Sequence, residues 1–395
     1  MSSRTHQLVA QDATPARVLG AAFAHLDGTA AYVLTATGRT VAATPGARTL
    51  PAREAAARLG GTSGVTVAVE AAGATPYDLW WLHLPDAAGA PPRLLHEIAR
   101  FLGRCREALS RRRAARRQAA DDIGGLISGH RAGDVDAAAR ACGLPAEGPY
   151  RVVAAATSTR QEGLAEGALS EAIALTNPAF AVVGRLPDGT AFAVLPEDAA
   201  RGLGETWRPV AACAPDILLY GGLSSPANAV TGLPGCLAQA RYALTSARTT
   251  APGTSALTDA TTLTTLGTLL TGVPAEVRTA FSSTLLGPLL DPANASAAAL
   301  LTTLEVFLAY DGSWARTAEA LHVHVNTVHY RIQRIEHLTG RVLSRLRDRL
   351  DLCAALACRT DPACPPATTA VDPSGASAAT TARPARSSTS SAPRR

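Results

Sequence analysis

The chain has 395 residues, a length that predicts about two or three domains rather than one. Hydrophobic residues make up 47% of it, which is enough to build packed cores and excludes a wholly disordered chain. All 37 basic residues are arginine, and with 32 acidic residues the formal net charge is only +5. Because this excess is small, the composition excludes a protein coated with positive charge, and any basic function must be confined to one segment.

The start of the chain and its cysteines bear on location. The first residues are polar and contain no apolar stretch of the kind found in secretory signals, and no segment is apolar for long enough to cross a bilayer. The seven cysteines are odd in number and scattered, as expected of reduced thiols. We therefore predict a cytoplasmic protein that makes no contact with membranes.

Residues 1–90 are predicted to form an N-terminal α/β domain of a sensor-like (GAF-like) type. An amphipathic helix around Val18 precedes three strand-like segments, which cover residues 31–35, 65–69 and 79–84. These residues contain no metal cluster, phosphate-binding loop or nucleophile constellation. A small sensor domain is therefore preferred to an enzyme.

Residues 91–120 are predicted to form a helical linker with a coiled-coil-like seam. Apolar side chains recur there at alternating spacings of three and four, at Leu95, Ile98, Leu102, Cys105 and Leu109. Arginines accumulate toward the end of this helix, against the single acid Glu107. Two interpretations stay open: the helix packs on its own domain and ends in a solvated Arg-rich face, or its seam joins two copies of the chain.

Residues 121–250 are predicted to form a central α+β domain. Helix signals are followed by strand signals at residues 150–156, 180–185 and 191–195, and Pro187, Asp188 and Gly189 form a good hairpin turn between the last two. The pattern predicts an antiparallel or mixed sheet with helices on one face. After it, residues 251–290 are predicted to be a linker and helical spacer, and residues 361–395 a disordered tail.

Residues 291–360 carry the clearest pattern and are predicted to be all-α. A helix with one apolar face over residues 296–310 is followed by a short helix capped by Ser313. After a tight turn, a longer helix opens at Asn326 and ends at Gly340. Short helix, tight turn and longer helix form the helix-turn-helix pattern, in which the longer helix enters the major groove of DNA.

The outer face of the longer helix presents groups that can donate to phosphates and base edges. The predicted DNA-binding residues are His324, Asn326, Thr327, His329, Tyr330, Arg331, Gln333 and Arg334. Residues 322–350 contain six arginines against two acids, so the basic excess of the chain is concentrated here. A polar helical face that contacts only water is the alternative, but its position in a helix-turn-helix pattern favours DNA.

The run TAEALHVHVNTVHYRIQRIEHLTG, residues 317–340, resembles the signature of the C-terminal helix-turn-helix domain of PucR-type transcriptional regulators, which include CdaR-like sugar-diacid regulators. The central segments IGGLISG, ACGLP and GGLSSP resemble that family's GGDEF-like domain. Two departures stand out, because members usually have Arg at the position of Val325 and often a second basic residue at that of His329.

The resemblance implies a dimeric transcriptional regulator that binds double-stranded DNA and responds to a small metabolite in its N-terminal or central domain. The enzyme alternative is a nucleotide cyclase-like or nucleotide-binding enzyme of the GGDEF fold. Against it, the hairpin that should present metal-binding carboxylates holds one acid, Asp188, whereas two-metal phosphoryl chemistry needs several. A protein-interaction scaffold would not need exposed Arg331 and Arg334. We predict no enzyme activity and assign no catalytic residue, cofactor or metal site.

Overall fold

A computed structural model describes residues 14–24, 29–61, 64–71, 75–86, 91–159, 161–291 and 296–359, and gives only the backbone of residues 112–115. Within these residues the chain forms an N-terminal part around a four-stranded sheet, a central part around a six-stranded sheet, and a helical C-terminal part. The first residues, on which the absence of a signal was judged, and the predicted tail at 361–395 lie outside the described residues.

The N-terminal part is a small antiparallel sheet covered by helices. Its elements are α1 (Pro15–Ala22), β1 (Tyr32–Thr35), β2 (Thr40–Ala43), α2 (Ala52–Leu59), β3 (Val65–Val69) and β4 (Trp80–Leu84). The strands lie in the order β2-β1-β4-β3, with every neighbouring pair antiparallel. The predicted helix and the three predicted strands are confirmed, whereas the sequence pattern did not predict α2 and β2.

The long helix α3 (Pro92–Ile127) has 36 residues and belongs to two cores. Its first half completes the N-terminal core, where Leu95 and Leu102 are buried together with Leu82 of β4. Its last turns, with Ile123 fully buried, join the core of the central part. Of the two interpretations left open, the structure therefore supports the first, in which the seam packs on its own domain. One continuous helix also runs across the predicted boundary at residue 120.

The central part is a mixed sheet. Its helices are α4 (Val135–Ala141), α5 (Leu164–Thr176), α6 (Glu197–Ala212) and α7 (Leu233–Thr250); its strands are β5 (Glu147–Thr157), β6 (Val182–Arg185), β7 (Ala191–Pro196), β8 (Leu219–Leu223), β9 (Ala227–Ala229) and β10 (Ala256–Asp259). The order is β10-β8-β5-β7-β6, with β9 also on β5. Only the pair β10 and β8 is parallel among these described strands. The predicted mixed sheet and hairpin are confirmed.

Both faces of this sheet are buried. On β5, Val153 packs against α5 and α6, while its neighbour Val152 packs on the opposite face against α3, α4 and α7. The prediction of helices on one face is therefore wrong. The reason is visible in the sequence, since β5 and β7 are apolar at successive positions and a strand buried on both faces needs no polar alternation.

Residues 256–259 are the edge strand β10 of the central sheet and not part of a linker. Its Thr- and Ala-rich sequence has little apolar surface, so a buried ion pair helps to hold it in place. Arg151, only 4% exposed, donates from Nη2 to Asp259 Oδ1 at 2.6 Å and from Nε to the Ser224 carbonyl at 2.6 Å. This correction extends the central part beyond residue 250.

The C-terminal part is helical, and its core is larger than predicted. Its helices are α8 (Leu266–Leu270), α9 (Ala275–Leu290), α10 (Ala297–Ala309), α11 (Trp314–Ala320), α12 (Val325–Thr339) and α13 (Leu346–Arg359). Leu285, Leu286 and Leu289 of α9 are buried in the same core as Phe307 and Ile332. The predicted spacer is therefore a structural element of this domain. No described helix is long and apolar enough to span a membrane.

Candidate nucleic-acid interface

Helices α11 and α12 and the turn between them have the geometry that the sequence predicts. Ser313 Oγ accepts the backbone N–H of Arg316 and caps α11. In the turn, His322 adopts a left-handed conformation with φ of 52°, and the backbone N–H of Val323 donates to the Ala318 carbonyl at 3.0 Å. Gly340, with φ of 65°, ends α12. The helix-turn-helix prediction is confirmed.

A compact apolar interface fixes the angle between these helices. Val328 and Ile332 of α12 are buried against Ala318 of α11, whose small side chain allows close approach. Thr317, fully buried, satisfies its hydroxyl by donating to the Ser313 carbonyl at 2.7 Å. Ala315, on the same helix, is exposed. The polar Thr317 is the inner residue that the sequence pattern missed.

The solvent side of α12 gathers most of the predicted DNA-binding residues. The exposed ones are His324, Asn326, His329, Tyr330, Gln333 and Arg334. Tyr330 is the most prominent, because 69% of its surface is exposed although its ring is large and mostly apolar. Thr327 is partly buried on the flank of this face. A helix that shows amide, hydroxyl and guanidinium groups together can read base edges and contact phosphates.

Arg331 departs from the prediction. Its side chain is partly buried and Nη1 donates to the hydroxyl of Thr303, on α10, at 3.2 Å. Helical spacing explains this, since residue 331 lies three positions after Val328 and four before Ile335, both buried. Arg331 thus lies beside the buried stripe of α12, and the structure does not bring it onto the exposed face with Arg334.

An aromatic stack holds His329. Its imidazole lies flat on the indole of Trp314, with ring centroids 3.9 Å apart and planes 9° from parallel. Trp314 in turn packs against Phe307, at a centroid distance of 4.9 Å. The buried Phe307 thus supports Trp314, and Trp314 fixes the orientation of the exposed His329 ring. The sequence signal for this stack was a tryptophan in the first turn of α11, four residues before the buried Ala318.

Val325, the position where relatives usually have Arg, is partly buried at the first position of α12. Together with Val323 it packs against the helical core. His324, just before it, accepts the backbone N–H of Asn326 on its Nδ1 at 3.2 Å. Val325 is thus part of the apolar packing of this domain.

The basic residues of this region divide into two sets. Arg341 pairs with Asp351 at 2.9 Å and also contacts Asp348, while Arg349 donates to the Asp311 carbonyl at 3.3 Å. The Val342 backbone N–H, with Arg341, holds the pKa of the Asp348 carboxyl below its usual range, although desolvation opposes this. The remaining set has no carboxylate within ion-pair distance in the described chain and is exposed: Arg334, Arg345 and Arg347.

The hairpin between β6 and β7 is the second place where the sequence suggested chemistry. Gly189 has φ of +85°, which the tight turn requires, and Asp188 at its tip accepts the Thr190 N–H at 3.0 Å and pairs with Arg241. Burial raises the pKa of Asp188, but the hydrogen bonds from Thr190 and the charge of Arg241 together lower it by more. The pKa of Asp188 therefore lies below its usual value. Among the described residues no group of three His, Cys, Asp or Glu side chains is placed to hold a metal ion. In this structure Asp188 is the ion-pair partner of Arg241.

Taken together, the geometry defines a multidomain protein with a C-terminal helix-turn-helix domain of the DNA-reading type. Two known families match parts of it: the PucR C-terminal helix-turn-helix domain over residues 300–358, and the GGDEF-like domain over residues 128–246. The first match confirms the resemblance seen in residues 317–340 and shows a helix-turn-helix domain of the PucR type at this end of the chain. Both the helical C-terminal domain and the central GGDEF-like domain were predicted.

Among individual proteins, the chain is 46% identical over 81 residues to "Uncharacterized protein in pkwA 5'region" of Thermomonospora curvata and 33% identical over 87 residues to "Uncharacterized protein YsfB" of Bacillus subtilis strain 168. These matches cover 20% and 22% of this chain, and 44% and 22% of the two relatives. The crystal structure of a regulator of polyketide synthase expression from Bifidobacterium adolescentis is 21% identical, with 61% of this chain and 97% of that chain covered at a TM-score of 0.29.

Proposed function

We propose that this chain regulates transcription by binding double-stranded DNA through α12, as a dimer and under the control of a small metabolite. The observation that carries the proposal is the exposed polar face of α12 within a helix-turn-helix domain of the PucR family. A helix held by its apolar side against α10 and α11 leaves its other side free to enter the major groove.

Within this face we assign base and phosphate contacts by exposure. Asn326 and Gln333 carry amides suited to adenine, and Arg334 carries a guanidinium suited to guanine or phosphate. The remaining contacts are His324, Thr327, His329 and Tyr330 at the start of the helix. Arg331 is assigned a positioning role, because its guanidinium is engaged by Thr303.

We propose a dimer because each chain has a single helix-turn-helix domain among its described residues. One helix-turn-helix contacts a half-site, and two copies gain affinity by reading half-sites about 34–36 Å apart. Since the apolar seam around Leu102 is buried inside the chain, the contact between copies must use another surface. Sedimentation of the full chain with and without DNA would measure this state, and a monomer on DNA would contradict it.

The DNA proposal is tested with sites selected from a random duplex library by the full chain. Loss of one bidentate base contact weakens binding by about 1–3 kcal/mol, so Arg334→Ala should bind a selected site about 5- to 150-fold more weakly. The matched control is Arg201→Ala, an exposed arginine on α6 with 69% side-chain exposure. Equal affinities of the two variants, or no selected sequence at all, would refute the proposal.

For the metabolite we propose a cavity of about 570 Å³ in the N-terminal part. Phe23, Tyr32 and Leu50 supply an apolar wall, and the charged lining consists of Arg48 and Arg58 among the described residues. Glu54 neutralises only one of them, since it pairs with Arg58 at 2.7 Å and lies 3.9 Å from Arg48. This chemistry suits a small organic acid with an apolar body.

Thermal unfolding of the full chain with small carboxylic acids, each compared with its uncharged amide, tests the cavity. A bound acid should raise the melting temperature, because a ligand that binds only the folded state stabilises it. Arg58→Gln should remove the effect, while Arg53→Gln, exposed on the same helix and outside the cavity lining, should keep it. Equal stabilisation by the amides would contradict the proposed ligand class.

A further inference from the structure

The N-terminal and central parts meet along one side of helix α5. Tyr77, from the loop before β4, is fully buried in the central core beside Leu164 and Ala168. Thr75 lies so close to Gly167 that a Cβ there would be 2.7 Å from the threonine hydroxyl. The same loop is held on α3, because Asp78 pairs with Arg106 at 2.8 Å.

A buried carboxylate, that of Glu171 on α5, is the polar centre of this contact. Only 3% of its surface is exposed. Thr35 and Thr37 each donate a hydroxyl to its Oε1 at 2.6 Å. Arg39 donates from Nη2 to Oε2 at 2.6 Å and from Nε to both oxygens at 3.2 Å. These donors lie in or beside the turn between β1 and β2, 132 to 136 residues away in sequence.

In the described chain, every hydrogen-bond partner of the Glu171 carboxylate therefore belongs to the N-terminal part. A buried charge needs such partners, since removing them without solvent access leaves it uncompensated. If the domains separate, however, water reaches the carboxylate, the hydroxyls and the guanidinium alike. The carboxylate is thus fully partnered when the contact is closed and hydrated when it is open, as in the polar interfaces between domains that move.

Helix α3 supplies the connection around which the parts can separate. Its first half is fixed in the N-terminal core up to Leu109, and its last turns are fixed in the central core from Ala120. Between them, Arg111, Arg116 and Arg117 are exposed and belong to neither core. A helix that is anchored in a core at each end and carries these exposed arginines between the two cores can bend there with little loss of packing.

We propose that Glu171 and the β1–β2 turn form a reversible latch, closed in this structure, that holds the N-terminal part on α5. Opening the latch frees Thr35, Thr37 and Arg39 from Glu171 and uncovers this side of α5, while α3 keeps the two parts connected. This latch does not depend on DNA binding and lies beyond the proposed function.

Amide hydrogen exchange of the full chain tests the latch. Glu171→Gln keeps the shape of the side chain but removes the charge that Arg39 and the two hydroxyls surround. We expect exchange to accelerate by about tenfold or more in peptides covering the β1–β2 turn and α5. The strand β4, which lies inside the N-terminal sheet, should keep its protection, because the domain opens without unfolding.

The matched control is Glu166→Gln on the same helix. Glu166 is also buried, but it pairs with Arg185 inside the central part. Its substitution should affect α5 and β6 and leave the β1–β2 turn unchanged. Arg39→Gln combined with Glu171→Gln should exchange no faster in the turn than Glu171→Gln alone, because both changes break one contact. Unchanged exchange in the turn, an equal effect of Glu166→Gln, or loss of protection throughout β4 would each overturn the proposal.

Discussion

Arg331→Ala separates stability from recognition in the helix-turn-helix domain. The substitution removes the bond from Nη1 to Thr303 Oγ1 and the contacts of the aliphatic stem beside Val328. Thr303, fully buried, keeps a partner because it also donates to the Ala299 carbonyl at 2.7 Å. Hydrogen bonds of charged groups contribute about 1.5–3 kcal/mol, and since Arg331 is only partly buried we expect a loss near the lower limit, about 1.5 kcal/mol. Such a loss lowers the folding equilibrium constant roughly tenfold.

The assay compares Arg331→Ala with Arg334→Ala in two measurements. The first is the urea concentration at which the C-terminal domain unfolds, and the second is the affinity for a selected DNA site. Arg331→Ala should lower the unfolding midpoint and, at a temperature where it is folded, bind DNA nearly as well as the unchanged chain. Arg334→Ala should behave in the opposite way, because its side chain is exposed and has no carboxylate partner in the described chain. If Arg331→Ala kept its stability but lost as much affinity as Arg334→Ala, the positioning role of Arg331 would be refuted.

Substitutions at Val325, His322 and His83 each change one local interaction. Val325→Arg should lower the melting temperature without a gain in affinity or a steeper salt dependence, because Val325 packs on the core; tighter binding on all sequences would contradict this. His322→Val should destabilise by about 1–2 kcal/mol, because a β-branched residue resists the left-handed conformation, whereas His322→Gly should not; equal unfolding free energies would refute it. Burial, with the charge of Arg58, lowers the pKa of His83, so the unfolded chain binds its proton more readily. The free energy of unfolding should therefore be full above about pH 6.5 and fall as the pH drops below it, and His83→Gln should remove that part of the slope.

The helix-turn-helix domain could be predicted because its signals are local. Ser313 as a cap, Gly340 as a stop and the apolar spacing of Val328, Ile332 and Ile335 each act within a few residues. The direction of the Arg331 side chain could not be predicted in the same way. It depends on a buried threonine of α10, 28 residues earlier in the chain, and no periodicity within α12 marks that acceptor.

The central and N-terminal parts were predicted less completely, because the elements that the sequence pattern did not predict depend on partners far away in the chain. Helix α5 is apolar on several sides, so its sequence shows no simple amphipathic stripe, and it becomes a helix between the sheet and the N-terminal part. Its Glu171 gave no signal, since the residues that surround it come from a turn more than a hundred residues earlier. The apolar spacing of α3 was read correctly, but spacing alone does not say whether the partner is another chain or the helix's own domain.

The edge strand β10 has a consequence for how the chain can be divided. A fragment that stops at residue 250 keeps all of α7 but exposes the backbone hydrogen-bonding groups of β8 along one side. It also removes Asp259, the carboxylate that pairs with the buried guanidinium of Arg151. An uncovered strand beside an apolar core is a template for pairing with other molecules, so such a fragment should aggregate, whereas one that ends after Thr262 closes the sheet with its own edge.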